Sequence, residues 1–232
     1  VSSKGFINSI EHKGINRDKI KFFPQWAEKI FQPVRSENYL LGKIPEDSFK
    51  IMFAGNIGEA QDFYSIIEVA KLLKNEKNIQ WIILGGGRRE EWVRTKIKEY
   101  KLEECFHLLG SHPLERMPAY YANASAMLVS LKNEYIFSIT IPAKVQSYLA
   151  CGKPILAMIN GEGGKVVIDA NAGLVCPAES PKALAKNILE MQQMESHEIS
   201  KMGQNARQYY DQNFERSYLF DRAERIFESM CK

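Results

Sequence analysis

Apolar positions along this chain fall into short continuous runs, each followed by a stretch in which they recur every three or four residues. IMFAG (51–55) is the first run, and the segment after it (59–75, EAQDFYSIIEVAKLLKN) places Phe63, Ile66, Ile67, Ala70 and Leu73 at helical spacing. WIILGGG (81–87) repeats the theme before a charged helix over 90–101. CFHLLG (105–110) precedes a helix around 114–122. SAMLVSL (125–131) precedes a helix opened by Pro142, because a proline at the first helical position loses no needed N–H. KPILAMI (153–159) leads to a helix over 165–170, and GLVCP (173–177) leads to three helices over 181–193, 198–212 and 215–230.

Runs that are apolar throughout, rather than alternating, predict parallel strands covered on both faces. Six of them interleaved with helices predict an α/β, doubly wound, six-stranded Rossmann-like sheet. Ligands in that architecture sit beyond the carboxyl ends of the strands, where the strand order reverses. The loops after Phe53, Leu84, Leu109, Leu131 and Ile159 are therefore where chemistry is expected. The first fifty residues break the pattern: IKFFPQWAEKIFQP (20–33) is rich in aromatics, holds two prolines and reads as a packed connector.

Composition narrows the class only a little. The 232 residues are 45% hydrophobic and 25% charged, as in an ordinary globular domain with a sizeable core. A net charge of +3, spread through mixed-sign segments such as KNEK and GRREEW, gives no basic stripe for nucleic acid. Cys105, Cys151, Cys176 and Cys231 form no CxxC pair and no zinc spacing, so they read as free thiols of a reducing compartment. No apolar run approaches the ~20 residues that span a bilayer, and no secretory leader is recognisable.

Five loops are candidates. In AGNIGEAQ, Gly55 and Gly58 bracket Asn56 and Ile57 between a strand and a helix, where backbone N–H groups and the helix dipole attract an anion; Asn56 and Gln61 add amide donors. The same residues also suit a bare tight turn. Gly85, Gly86 and Gly87 allow close approach of a planar group such as a base, with Arg88 and Arg89 facing either a phosphate or solvent. Without GxGxxG, a dinucleotide (NAD) reading is weak. Gly110 and Ser111 offer backbone hydrogen bonds, and His112, ahead of Pro113, is extended and reads as an exposed loop residue. Lys144 falls in the first turn of a helix, where a cation opposes the dipole and becomes useful only beside an anion; Gln146, Ser147 and Tyr148 follow it. Gly161, Gly163 and Gly164 open a further helix around Glu162. Several glycine-rich helix starts facing one cleft favour a phosphate-bearing ligand over any single loop's reading.

With these residues in view, PAKVQSYLACGKPILA (142–157) resembles the donor-site helix of family 4 glycosyltransferases, which read P-S-K-x-x-E-Y-L-A-x-G-x-P. GLVCPAESPKALAKNI, GQNARQYYDQNF and the connector FFPQWAEKIFQP are similar to further segments of that family, in the same order, over about residues 20–227. GNIGEAQ with PAKVQSY most resembles bacterial surface-polysaccharide members, including N-acetyl-L-fucosamine transferases. The resemblance implies the C-terminal half of a GT-B fold, binding a nucleotide-diphosphate sugar, commonly a UDP-sugar. It further implies retaining transfer of a hexosyl or N-acetylhexosaminyl group to a saccharide acceptor, in some pathways lipid-linked, with no bound metal or other cofactor.

Residue by residue, the resemblance implies a diphosphate site at Gly55, Asn56, Ile57, Gly58, Gln61 and Lys144, with the backbone amides of Ile57 and Gly58 and the Lys144 ammonium as its main donors. It implies a nucleoside site at Gly85, Gly86, Gly87, Arg88, Gly110, Ser111, Gln146 and Ser147, and a sugar site at Glu162 and Gly163. Asn56 and Gln61 stand where the family has Arg and Lys, and Ile139 and Ser147 stand where it has paired glutamates. The division expected is a remnant of the N-terminal domain plus connector (1–48), a nucleotide-sugar domain (49–214) and a C-terminal helix (215–232). The chain begins VSSKGF, like the tail of a preceding acceptor domain, so the fragment alone is expected to bind donor without transferring it. The expected setting is cytoplasmic, with peripheral attachment at the inner membrane through the full-length protein. The alternative is a non-catalytic nucleotide-binding module paired with a separate acceptor-binding subunit.

Overall fold

The computed structural model describes residues 1–37, 41–42 and 44–230; Cys231 and the end of the 215–232 segment lie outside the described residues. The chain opens with a short helix, α1 (Gly5–Glu11), and an irregular segment to residue 37. Alternation then begins: β1 (Phe49–Ala54), α2 (Phe63–Leu72), β2 (Ile79–Leu84), α3 (Glu90–Tyr100), β3 (Phe106–Gly110), α4 (Met117–Ala122) and β4 (Ala126–Ser130). It continues through α5 (Tyr135–Ser138), α6 (Ala143–Ala150), β5 (Ile155–Met158), α7 (Glu162–Asp169), β6 (Gly173–Cys176), α8 (Pro181–Gln192), α9 (Ser196–Asn213) and α10 (Arg216–Met230).

Among the described residues the strands form one six-stranded sheet in the order β3-β2-β1-β4-β5-β6, every pair parallel. This is the doubly wound order the apolar runs predicted, and its switch point lies between β1 and β4. The inner strands β1, β2, β4 and β5 are buried along their whole length, which is why their sequences do not alternate. The edge strands β3 and β6 are half-buried.

The pleat sends successive side chains to opposite cores. Ile51 and Phe53 join a core with α2, α3 and α8, whereas Met52 and Ala54 join one with α4, α6, α7 and α9. The connector docks on the second core. Ala27 and Phe31 are buried there, the Phe31 ring stacks on Tyr121 at 5.8 Å, and the Tyr210 hydroxyl donates to the Ala27 carbonyl at 3.3 Å.

Several boundaries differ from expectation for identifiable reasons. The helix expected over 59–75 is broken. A 3₁₀ turn covers Glu59–Gln61, and Asp62, in the left-handed region at φ 46°, caps α2 by accepting from the Ser65 N–H at 3.3 Å. Pro142 is the N-cap of α6, with extended ψ, rather than its first helical residue. α7 starts at Glu162 instead of 165, because Gly163 and Gly164 serve as its first turn where a side chain would collide with Pro142 and crowd Val175. α5 was not anticipated at all.

Candidate functional site

β1 pairs with β4 only at Ile51↔Ala126 and Met52↔Met127. Beyond Met52 the two strands part, opening the crevice where a doubly wound sheet binds its ligand. The Ala54 backbone would then lack its neighbour. The buried Tyr148 hydroxyl on α6 replaces it, accepting from the Ala54 N–H at 3.1 Å and donating to the Ala54 carbonyl at 3.2 Å. Burial raises the Tyr148 phenol pKa, so the group stays neutral and can act as donor and acceptor together.

Glycines lace the loops around this crevice. Gly55 N–H donates to Leu84 O at 2.9 Å, Ile57 N–H to Gly86 O at 2.9 Å, and Gly85 N–H to Gly110 O at 2.7 Å. Gly85 has φ +127°, and a Cβ there would overlap the Gly55 carbonyl. The Asn56 side chain lies against both Gly58 and Gly87, where a Cβ would strike it. Ser111 Oγ lies 3.6 Å from a Cβ built on Gly86, so the third loop joins the same rim.

Lys144 reaches this rim from the first turn of α6. Its ammonium lies 3.8 Å from the centroid of the Phe53 ring, donates to Gln61 Oε1 at 2.5 Å and approaches Gly55 closely enough that a Cβ there would lie 3.4 Å away. Desolvation lowers its pKa from 10.5 to about 7. Among the described residues no carboxylate pairs with it. A π face and one amide oxygen stabilise a half-buried cation only partly. An anion entering the crevice completes the pairing and pulls the proton equilibrium toward ammonium.

The structure therefore gathers Gly55, Asn56, Gln61, Lys144, Gly85, Gly86, Gly87, Gly110 and Ser111 at one mouth. Others are placed differently. The Ile57 side chain is fully buried and its N–H is committed to Gly86, so this amide does not stand free for a diphosphate. Gln146 is 1% exposed and faces inward where a nucleoside contact was expected; with its amide turned so that the nitrogen meets the two carbonyls, it donates to Pro142 O (2.8 Å) and Ala143 O (3.2 Å). Ser147 is half-buried, its hydroxyl donating to Ala143 O at 3.3 Å. Arg88 is exposed. Glu162 is half-buried and accepts from Ser3 Oγ at 3.4 Å, while Gly163 is buried because a Cβ would meet Pro142 Cδ at 2.8 Å. That close approach brings the N-termini of α6 and α7 side by side.

His112 is fixed rather than poised: Leu109 O and the Tyr120 hydroxyl hold its two nitrogens at 3.1 and 3.2 Å. Phe53, Tyr148 and Asp62 were missed as site residues. Only Asp62 carried a readable signal, as a capping residue just before the apolar run at Phe63. Among the described residues no three His, Cys, Asp or Glu side chains group as metal ligands, and no helix is long and apolar enough to cross a membrane.

The family described as "Glycosyl transferases group 1" matches residues 41–209. The chain is similar to the probable glycosyltransferase WbjE of Pseudomonas aeruginosa, with 31% identity over 83% of this chain and 48% of that protein. It is also similar to WcaL of Escherichia coli K12, a putative colanic acid biosynthesis glycosyltransferase, with 23% identity over 76% of this chain and 44% of that protein. The chain thus spans about half the length of the curated relatives it matches. Its fold superimposes on Anabaena HepE in complex with UDP at a TM-score of 0.80 and 14% identity, over 99% of this chain and 63% of HepE.

Proposed function

Because the chain belongs to the group 1 glycosyl transferases, we propose that it is the donor-binding half of an enzyme that transfers a hexosyl or N-acetylhexosaminyl group from a UDP-sugar to a saccharide acceptor, in bacterial surface polysaccharide synthesis such as O-antigen or capsule. The observation that carries this reading is Lys144, a desolvated cation with no acidic partner among the described residues, at the mouth of the switch-point crevice.

In this reading the diphosphate lies against Lys144, with the Gln61 and Asn56 amides and the Gly58 backbone beside it. The nucleoside lies along Gly85, Gly86 and Gly87 and along Gly110 and Ser111. The sugar lies toward Glu162 at the start of α7, and the acceptor arrives from a preceding domain. Departure of the nucleoside diphosphate concentrates negative charge on its terminal phosphate. An ammonium held in a poorly solvated pocket opposes that charge more effectively than it would in water, with no reorganisation at the moment of reaction. We also read the chain as a family 4 member acting with retention, related to N-acetyl-L-fucosamine transferases through GNIGEAQ and PAKVQSY.

A thermal-shift series with UDP, UDP-glucose, UDP-N-acetylglucosamine, GDP and NAD tests the donor claim, since a ligand that binds only the folded state raises Tm by mass action. UDP and its sugars should stabilise the chain, and Lys144→Ala should weaken them by about 10–100-fold. No shift with any UDP compound, or a shift with NAD alone, overturns the reading.

A further inference from the structure

On the α2/α3/α8 side of the sheet, across from the helix that carries Lys144, lies a second cleft of about 640 Å³. Its floor is Asp62, 5% exposed, whose Oδ1 caps α2 while Oδ2 has no hydrogen-bond partner among the described residues. One wall is aromatic. Tyr64 and Trp92 stand side by side, ring centroids 6.5 Å apart and planes inclined by 31°, and Tyr64 is 66% exposed although its neighbours Phe63 and Ser65 are buried. The rim is ionic: Glu59 bridges Arg89 and Lys132, the latter at 2.5 Å.

The lining chemistry selects the ligand class. Three acids (Glu59, Asp62, Glu179) face three bases (Arg89, Lys96, Lys132), so the cleft has no net sign to attract a phosphate or a cation. It does offer closely mixed donors and acceptors beside an exposed aromatic platform. A pyranose fits that combination: its C–H face packs on rings, and each hydroxyl both donates and accepts. A buried acceptor without a donor is a position that folded proteins normally fill. The volume lies within the range of small-molecule sites.

We propose that this cleft is a subsite for a neutral saccharide chain, with Tyr64 and Trp92 stacking on a sugar ring and a turn of the Asp62 side chain bringing Oδ2, closed to solvent in the free chain, against a hydroxyl. The proposal rests on the glycosyltransferase reading for why a glycan is at hand; the subsite then holds a stretch of the acceptor away from the reacting end. Burial raises the Asp62 pKa, and a hydroxyl donor relieves that desolvation.

The test follows the indole N–H resonances of the three tryptophans, Trp26, Trp81 and Trp92, during titration of this chain with a glucose tetrasaccharide, an N-acetylglucosamine tetrasaccharide and, separately, UDP. Either tetrasaccharide should move the Trp92 signal at millimolar concentration and leave the buried Trp81 signal in place. Trp92→Ala, followed through backbone amides, and Tyr64→Ala should each weaken binding by about tenfold or more. Asp62→Asn retains a residue type tolerated in left-handed and capping positions and should weaken it less. An unmoved Trp92 signal with both tetrasaccharides, or saccharide affinity unchanged in the Tyr64→Ala, Trp92→Ala double variant, overturns the subsite. So does a Trp92 shift produced by UDP alone. UDP binding elsewhere with no saccharide effect refutes the subsite and leaves the donor reading standing; saccharide binding without any UDP binding does the reverse.

Discussion

The two openings at the carboxyl edge of this sheet differ in what each leaves unsatisfied. At the β1/β4 crevice the orphan is a cation: Lys144 is desolvated, and its pKa is pulled down to about 7 with no acid among the described residues to offset it. In the cleft beneath Tyr64 and Trp92 the orphan is an acceptor, Asp62 Oδ2, amid charges that cancel. Both border the loop that follows β1, the crevice through Gly55 and Gln61 and the cleft through Glu59 and Asp62. The group left without a partner, more than the shape of the opening, separates the anion site we propose from the hydroxyl site we propose.

Substitutions at the loop junction should break this contrast most severely. Gly85→Ala places a side chain at φ +127° against the Gly55 carbonyl and should cost about 3 kcal/mol, lowering Tm by roughly 6–12 °C and abolishing UDP binding. Thermal melts in the presence and absence of UDP measure both effects, and a Tm within a degree of the parent would contradict the close approach.

Tyr148→Phe strips the Ala54 N–H and C=O of a shared side-chain partner and should cost about 2 kcal/mol, read from urea unfolding.

Proton linkage sharpens the contrast further. The free Lys144 site is protonated below about pH 7. Above that pH, binding an anion requires uptake of a proton. Affinity for UDP-glucose should therefore fall by about tenfold per pH unit above 7, until the pKa of the liganded lysine is reached. Lys144→Arg, which keeps its charge throughout, should flatten the profile. Calorimetry from pH 6 to 9 decides this, and a steep profile retained in the arginine variant would assign the titration elsewhere.

The smallest effect belongs to Glu59→Gln. Its carboxyl pKa is lowered to about 2 by hydrogen bonds from Arg89 and Lys132, yet the group is fully exposed and screened by water and salt. Tm should move less than for Tyr148→Phe, and less again at high ionic strength.

Much of this was legible from residue order. The unbroken apolar runs around Met52, Ile82, Met127 and Leu156 could belong only to strands covered on both sides, and their alternation with helices set the layering. The glycine loops were legible as places of close approach. The partners they approach were not. Gly55 and Gly58 suggested backbone amides turned toward an anion, whereas Gly55 and Ile57 donate instead to β2 and its loop. Gln146 and Ser147 are adjacent and both polar, so sequence offered no means of telling which faces inward; the helix phase set by buried Val145, Tyr148 and Leu149 turns Gln146 in. The break at Asp62 was concealed by a helical apolar spacing that begins only at Phe63.

Residue order is enough to specify the sheet, its two covered faces and the loops that border the crevice, because hydrophobic burial is read residue by residue along the chain. The surroundings of Lys144 and Asp62 are set by packing alone. Whether a charged group finds a partner depends on residues distant in sequence, such as Gln61 and Phe53 around Lys144, and on the water that packing removes.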